Sequence, residues 1–108
     1  MSIEQIDPPA LQAMLDANSV LLIDVRERGE YDAASIDGAI LIPMSACHPP
    51  SLPCNPDKKI VFMCKAGGRS QRVGEAYAAA FPDAAVYNLA GGIDGWMARH
   101  FPVRSDRS

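Results

Sequence analysis

The stretch I-V-F-M-C-K-A-G-G-R-S, residues 60–70, decides the fold. Ile60 to Met63 form an apolar run too short for a helix, set between Lys58–Lys59 and Gly67–Gly68, and read as a buried strand. Cys64 follows at once, then two glycines, then Arg69 and Ser70 at the head of a helical pattern. A thiol at a strand end, facing a helix N-terminus, sits where free backbone N–H groups and the helix dipole favour an anion. Such a cysteine can fall from about 8.5 to roughly 3.5–7.5 and be thiolate at neutral pH. Gly67 and Gly68 can adopt positive φ and turn successive amides inward as a nest, and Arg69 adds a fixed positive charge. Cys64 is therefore the candidate nucleophile.

Working outward, V-L-L-I-D at 20–24 is a second apolar run, suited to a central parallel strand buried on both faces. It runs into Asp24-Val25-Arg26-Glu27, a polar turn at the carboxyl end of a strand, where open α/β sheets bind ligands. Upstream, Ile3 and Ile6 flank a short strand. Asp7-Pro8-Pro9 caps a helix carrying Leu11, Met14 and Leu15 and stopping near Asn18. A short helix around Glu30–Ala34 precedes Gly38 and the strand A-I-L-I, which Pro43 stops.

Residues 44–59 hold four of the nine prolines and two cysteines, and read mostly as a surface loop. After the Cys64 strand a helix spans about Ser70 to Phe81, with Val73, Ala76, Tyr77 and Ala80 inward and Gly74 permitting close packing. A-V-Y-N-L is a fifth strand. Gly91-Gly92 then opens a last helix containing Trp96, a core residue, and the tail from Arg104 to Ser108 frays. Strands alternating with helices predict an α/β fold: a central parallel sheet of about five strands with helices on both faces.

The 108 residues suit one domain, 1–108, with its core over about 3–102. A net charge of −3 argues against a general nucleic-acid binder. No run reaches the roughly 18 apolar residues of a membrane span and no signal segment opens the chain, so the expected location is cytoplasmic. Three cysteines make no disulfide framework. Cys47, His48, Cys54 and Cys64 lack the short spacings of zinc knuckles, so no metal is expected. Cys47 or Cys54 could serve as a resolving thiol for Cys64.

C-K-A-G-G-R-S resembles the active-site loop of rhodanese-type sulfurtransferases. Related cell-cycle and tyrosine phosphatases use a loop one residue longer, wide enough for a phosphoryl group, whereas here four residues separate Cys64 from Arg69. L-I-D-V-R-E-R-G-E-Y (22–31) and I-D-G-A-I-L-I-P (36–43) are similar to the family's first two signatures, and Y-N-L-A-G-G-I-D-G-W (87–96) looks like the close of its single-domain members. The likeness covers about residues 3–102. One departure is Ser35, where the family commonly has a histidine that is mainly structural.

The resemblance implies a rhodanese-like fold and a thiosulfate sulfurtransferase, with no cofactor. Such an enzyme moves sulfane sulfur from a donor such as thiosulfate to an acceptor (cyanide in assay, a thiol or protein thiol in the cell) through a persulfide on Cys64. Cys64 and Arg69 would be catalytic. Lys65, Ala66, Gly67, Gly68 and Ser70 would hold the transferred sulfur, with Asp24, Arg26 and Glu27 in support. Asp24 and Glu27 are the expected partners of Arg69, because a desolvated guanidinium needs an acid. Lys65 is either a solvated side chain or an attractor of a sulfonate-bearing donor. Glu30 and Glu75 are read as solvated. A non-catalytic binding module, and a phosphatase or arsenate reductase on the same fold, are the alternatives.

Overall fold

A computed structural model describes residues 3–46, 52 and 57–105. Five strands, β1 (Glu4–Ile6), β2 (Val20–Asp24), β3 (Ile40–Leu41), β4 (Lys59–Met63) and β5 (Val86–Leu89), form one sheet in the order β1-β5-β4-β2-β3. Every pairing is parallel. β4 lies in the middle, with Asp24 opposite Met63 on one side and Phe62 opposite Asn88 on the other.

Side-chain alternation sends Ile60 and Phe62 to one face and Val61 and Met63 to the other. The first face packs under α3 (Gly68–Ala80) through Val73, Tyr77 and Ala78. The second packs under α1 (Pro8–Asp16) and α4 (Gly92–Ala98) through Leu11, Ile93 and Trp96. A short α2 (Arg28–Ala33) links β2 to β3. Burying each large β4 side chain contributes roughly 1.5–3 kcal/mol, which makes this strand the spine of the fold. The expected α/β sheet with helices on both faces is what forms.

The local chemistry matches the expectations at most element ends. Asp7 accepts the Ala10 N–H at 2.9 Å, with proline in the first turn of α1. Asn18 takes φ 52° and stops it. Trp96 is in the core, its indole N–H donating to the Pro102 carbonyl at 2.8 Å.

Three expectations about the fold fail. α3 begins at Gly68 rather than Ser70, and its buried face runs Ser70, Val73, Gly74, Tyr77, Ala78, leaving Ala76 and Ala80 exposed. The helix is turned so that Ser70 reaches inward to the sulfur of Cys64. The tail does not fray from Arg104: Ser35 and Arg104 exchange two backbone hydrogen bonds of 2.8 Å in an antiparallel bridge. Gly68 does not take positive φ; only Gly67 of that pair does, at 109°. Among the described residues of 44–59, Met44–Ala46 form a single 3-10 turn and Leu52 is buried in the core beneath α3. Cys47, His48 and Cys54, and with them the resolving-thiol and metal readings, lie outside the described residues. No helix among the described residues is long and apolar enough to cross a membrane.

Candidate active site

Cys64 emerges at the carboxyl end of β4, between β2 and β5, where ligands of open parallel sheets bind. Its residue is only 1% exposed, so the sulfur is the floor of the loop rather than part of an open cleft. Gly67 adopts a left-handed conformation that a side chain would strain, and its N–H donates to Cys64 Sγ at 3.0 Å. Because the cap of α3 is a glycine with no side chain to claim the first-turn amides, those donors remain available to the sulfur. The Ser70 hydroxyl lies 3.3 Å from Sγ. Burial pushes the Cys64 thiol up, but the Ser70 hydroxyl and the backbone N–H groups of Ser70, Gly67 and Ala66 outweigh it and hold the thiol below its ordinary 9.0.

The far side of the loop is fixed by α4. Ile93 and Asp94 donate their N–H groups to the carbonyls of Cys64 and Lys65 at 2.9 and 3.1 Å. Gly92, at φ 59°, makes this approach possible, since a Cβ there would collide with those same two carbonyls. The Gly91-Gly92 doublet thus does more than start a helix.

Arg69 does not pair with Asp24 or Glu27. Its Nη1 and Nη2 donate to Glu30 Oε1 and Oε2, each at 2.9 Å, so Glu30 is not a solvated side chain. Glu30 also accepts the Glu27 N–H at 3.1 Å, which places Glu27 at the start of α2, one step removed from the loop. Arg69 holds the Glu30 carboxyl down from 4.5 to about 2. Asp24 is committed to Arg26, which donates to it through Nε at 3.0 and 3.1 Å and Nη2 at 2.8 Å, both residues being buried. Arg26 Nη2 also reaches the Ala34 carbonyl at 2.7 Å, clamping the end of β2 to the end of α2. Asp24 and Arg26 therefore support the scaffold and not the Arg69 guanidinium directly. Lys65 Nζ meets Asp94 Oδ2 at 2.8 Å, a pairing absent from the sequence-based expectations.

Asn88 is a further residue that those expectations missed, although a lone polar residue in the strand V-Y-N-L was its signal. Its Nδ2 donates to the Gly67 carbonyl at 3.2 Å and to Gln5 Oε1 at 2.9 Å, and its Oδ1 lies 2.6 Å from Ser70 Oγ. Two hollows lie at the opposite end of the sheet. One of about 620 Å³ borders Lys58, Pro82 and Ala85, and another of about 390 Å³ borders Asn18, Gly38 and Trp96; Cys64 lines neither. Among the described residues no group of acids, histidines and cysteines is gathered to hold a metal.

Residues 7–99 match the rhodanese-like domain family. A protein from Allochromatium vinosum named sulfurtransferase is 30% identical over 102 residues, covering 94% of each chain. The thiosulfate sulfurtransferase GlpE of Tolumonas auensis is 29% identical over 84 residues, 78% of each. A Synechocystis protein is 30% identical over 91% of this chain, which spans only 54% of that relative's length. Among solved structures, a rhodanese-related protein from Thermoplasma volcanium superposes with a TM-score of 0.80 at 27% identity, covering 94% of this chain and 97% of its own. The loop at the end of β4, the parallel sheet and the sequence match agree: this chain belongs to the rhodanese-like domain family.

Proposed function

We propose that this protein is a sulfurtransferase that carries sulfane sulfur as a persulfide on Cys64. The observation that supports this most is a sulfur held by the Gly67 N–H at 3.0 Å, with its thiol lowered despite burial. A thiolate needs no separate general base, since it is already the attacking form. Cys64 Sγ attacks the outer sulfur of a donor such as thiosulfate. The donor's S–S bond breaks, sulfite departs with the bonding pair, and the new S–S bond leaves a negative terminal sulfur on Cys64.

The amides of Ala66, Gly67 and Ser70 stabilise that charge as the loop's preorganised donors. Arg69, anchored by Glu30, fixes the mouth of the loop and adds positive potential toward Cys64. A thiol of a small molecule or an acceptor protein then attacks the terminal sulfur, and the breaking S–S bond returns its electron pair to Cys64 as thiolate. A closed loop with the Cys64 thiol at its floor suits the transfer of one atom. The four-residue spacing to Arg69 favours sulfur over a phosphoryl group.

Intact-protein mass spectrometry after incubation with thiosulfate tests the reading. The wild type gains one sulfur atom and loses it to cyanide, and Cys64→Ser gains none. No gain in the wild type with thiosulfate or with a small-molecule persulfide donor would sink transfer chemistry and favour a binding module. Cleavage of an aryl phosphate dependent on Cys64 would favour a phosphatase.

A further inference from the structure

Ser70 is fully buried against the Cys64 sulfur, and Asn88, 3% exposed, lies behind it in contact with the Ser70 hydroxyl. The Ser70 hydroxyl carries one hydrogen and has three acceptors in reach: Asn88 Oδ1 at 2.6 Å, the Gly67 carbonyl at 3.2 Å and Cys64 Sγ at 3.3 Å. The orientation of the Asn88 amide is fixed by its surroundings. Its nitrogen faces the Gly67 carbonyl and Gln5 Oε1, two acceptors, so its oxygen must face Ser70. A flipped amide would set oxygen against the Gly67 carbonyl. Gln5 is itself oriented by Gln71, to whose Oε1 it donates at 2.6 Å, so the chain of side chains runs from an edge strand to the thiol.

We infer that Asn88 is a positioning residue for the Cys64 sulfur and acts through Ser70, its side-chain oxygen competing with the sulfur for the single hydroxyl hydrogen. When Cys64 is a neutral thiol, the hydrogen goes to Asn88, whose oxygen is nearer. When the sulfur is anionic, a charge-assisted bond to it is the stronger one and the hydroxyl turns. Asn88 thereby makes thiolate formation less favourable than Ser70 alone would set it. It also steadies Gly67, whose own N–H binds the sulfur.

These two roles pull the thiol in opposite directions, which makes them separable. Loss of the Asn88 oxygen frees the Ser70 hydrogen and lowers the thiol, whereas a slackened Gly67 raises it. Among the described residues, the charged groups around the sulfur are Arg69 and Lys65 on the loop, Asp24 and Arg26 at the end of β2, Glu30 on α2 and Asp94 on α4. Neither substitution proposed here removes any of them.

This inference deepens the sulfur-transfer proposal and rests on it for its purpose, but its test needs no sulfur donor. The test is the rate of iodoacetamide alkylation of Cys64 in the full chain, followed peptide by peptide against pH. Ser70→Ala moves the midpoint upward. Asn88→Ala moves it downward and, below the midpoint, speeds alkylation by about three- to tenfold, a full unit being tenfold in thiolate. In the Ser70→Ala background Asn88→Ala no longer lowers the midpoint: only the slackened Gly67 is left to act, which keeps it in place or raises it, since contacts acting through one shared partner are not additive.

The relay would be overturned if Asn88→Ala moved the midpoint no further downward in the wild-type background than in the Ser70→Ala background. Should Asn88→Ala not fold, Asn88→Leu fills the same volume without the oxygen and is read the same way. A protein that follows this alkylation pattern and takes up no sulfur would sink the transfer reading and leave the relay standing.

Discussion

Arg69 and Glu30, 39 positions apart in the chain, face each other with two parallel hydrogen bonds of 2.9 Å. This fork-on-carboxylate geometry ties the Cys64 loop to the first turn of α2 and orients the guanidinium. The carboxyl, ordinarily near 4.5, is lowered to about 2 by its bonds to Arg69. A lowered carboxyl contributes stability that is complete above its unfolded value and disappears as pH falls through its folded value. The contribution is therefore full above about pH 4.5 and fades toward pH 2. Glu30→Gln removes it. Thermal unfolding midpoints of the two proteins differ at pH 6, and the gap narrows progressively between pH 4.5 and 2; a gap independent of pH would show that the pair does not hold the fold.

Asp24 and Arg26 present a different balance, because their charges are buried. Removing one partner strands the other, at a cost of about 3–5 kcal/mol. Arg26→Met is expected to lose that much in urea unfolding, and it also leaves the Ala34 carbonyl without its 2.7 Å donor. The double variant Asp24→Leu/Arg26→Met should recover much of the loss, since no unpaired charge remains. Equal destabilisation by the single and double variants would locate the cost in packing.

The sheet was legible because β2 and β4 are buried on both faces, so their apolar runs are nearly continuous and need no period to be recognised. Cys64 was legible because strand, glycine doublet and arginine are contiguous. The partners of Arg69 and Lys65 were not. Glu30 and Asp94 reach them from α2 and α4, and Asp24, the acid nearest in the signature, is already consumed by Arg26. Such choices depend on the direction a helix presents, which spacing along the chain does not specify. The face of α3 went wrong for the same reason: Ala76 and Ala80 fit an apolar stripe as well as Gly74 and Ala78, and the demand that Ser70 point to the sulfur breaks the tie.

Ser35 is buried at 1% exposure, its backbone pairs with Arg104, and its hydroxyl oxygen has no hydrogen-bond partner among the described residues. An unsatisfied buried hydroxyl costs about 1–3 kcal/mol. Ser35→Ala keeps the backbone bridge and removes the hydroxyl, so it should raise stability by about 1 kcal/mol, read as a higher urea midpoint at unchanged slope. A lower midpoint would mean that the oxygen contributes to packing more than its burial costs.

Lys65 and Asp94 form an exposed pair at 2.8 Å beside the Cys64 loop, with side chains 63% and 45% accessible. Exposed pairs contribute little to stability, so the pairing matters more for the charge available at the loop. While Asp94 neutralises Lys65, any anion approaching Cys64 meets less positive potential than the sequence suggests. On the sulfur-transfer reading, Asp94→Asn keeps the backbone N–H that binds the Lys65 carbonyl and releases the ammonium. The expected result is a KM for thiosulfate lowered by about two- to fivefold at low salt, with kcat little changed, the difference shrinking as ionic strength rises. Lys65→Met in the same background should abolish the gain. A lower KM that survives both high salt and loss of Lys65 would place the effect in α4 itself rather than in the charge at the mouth of the loop.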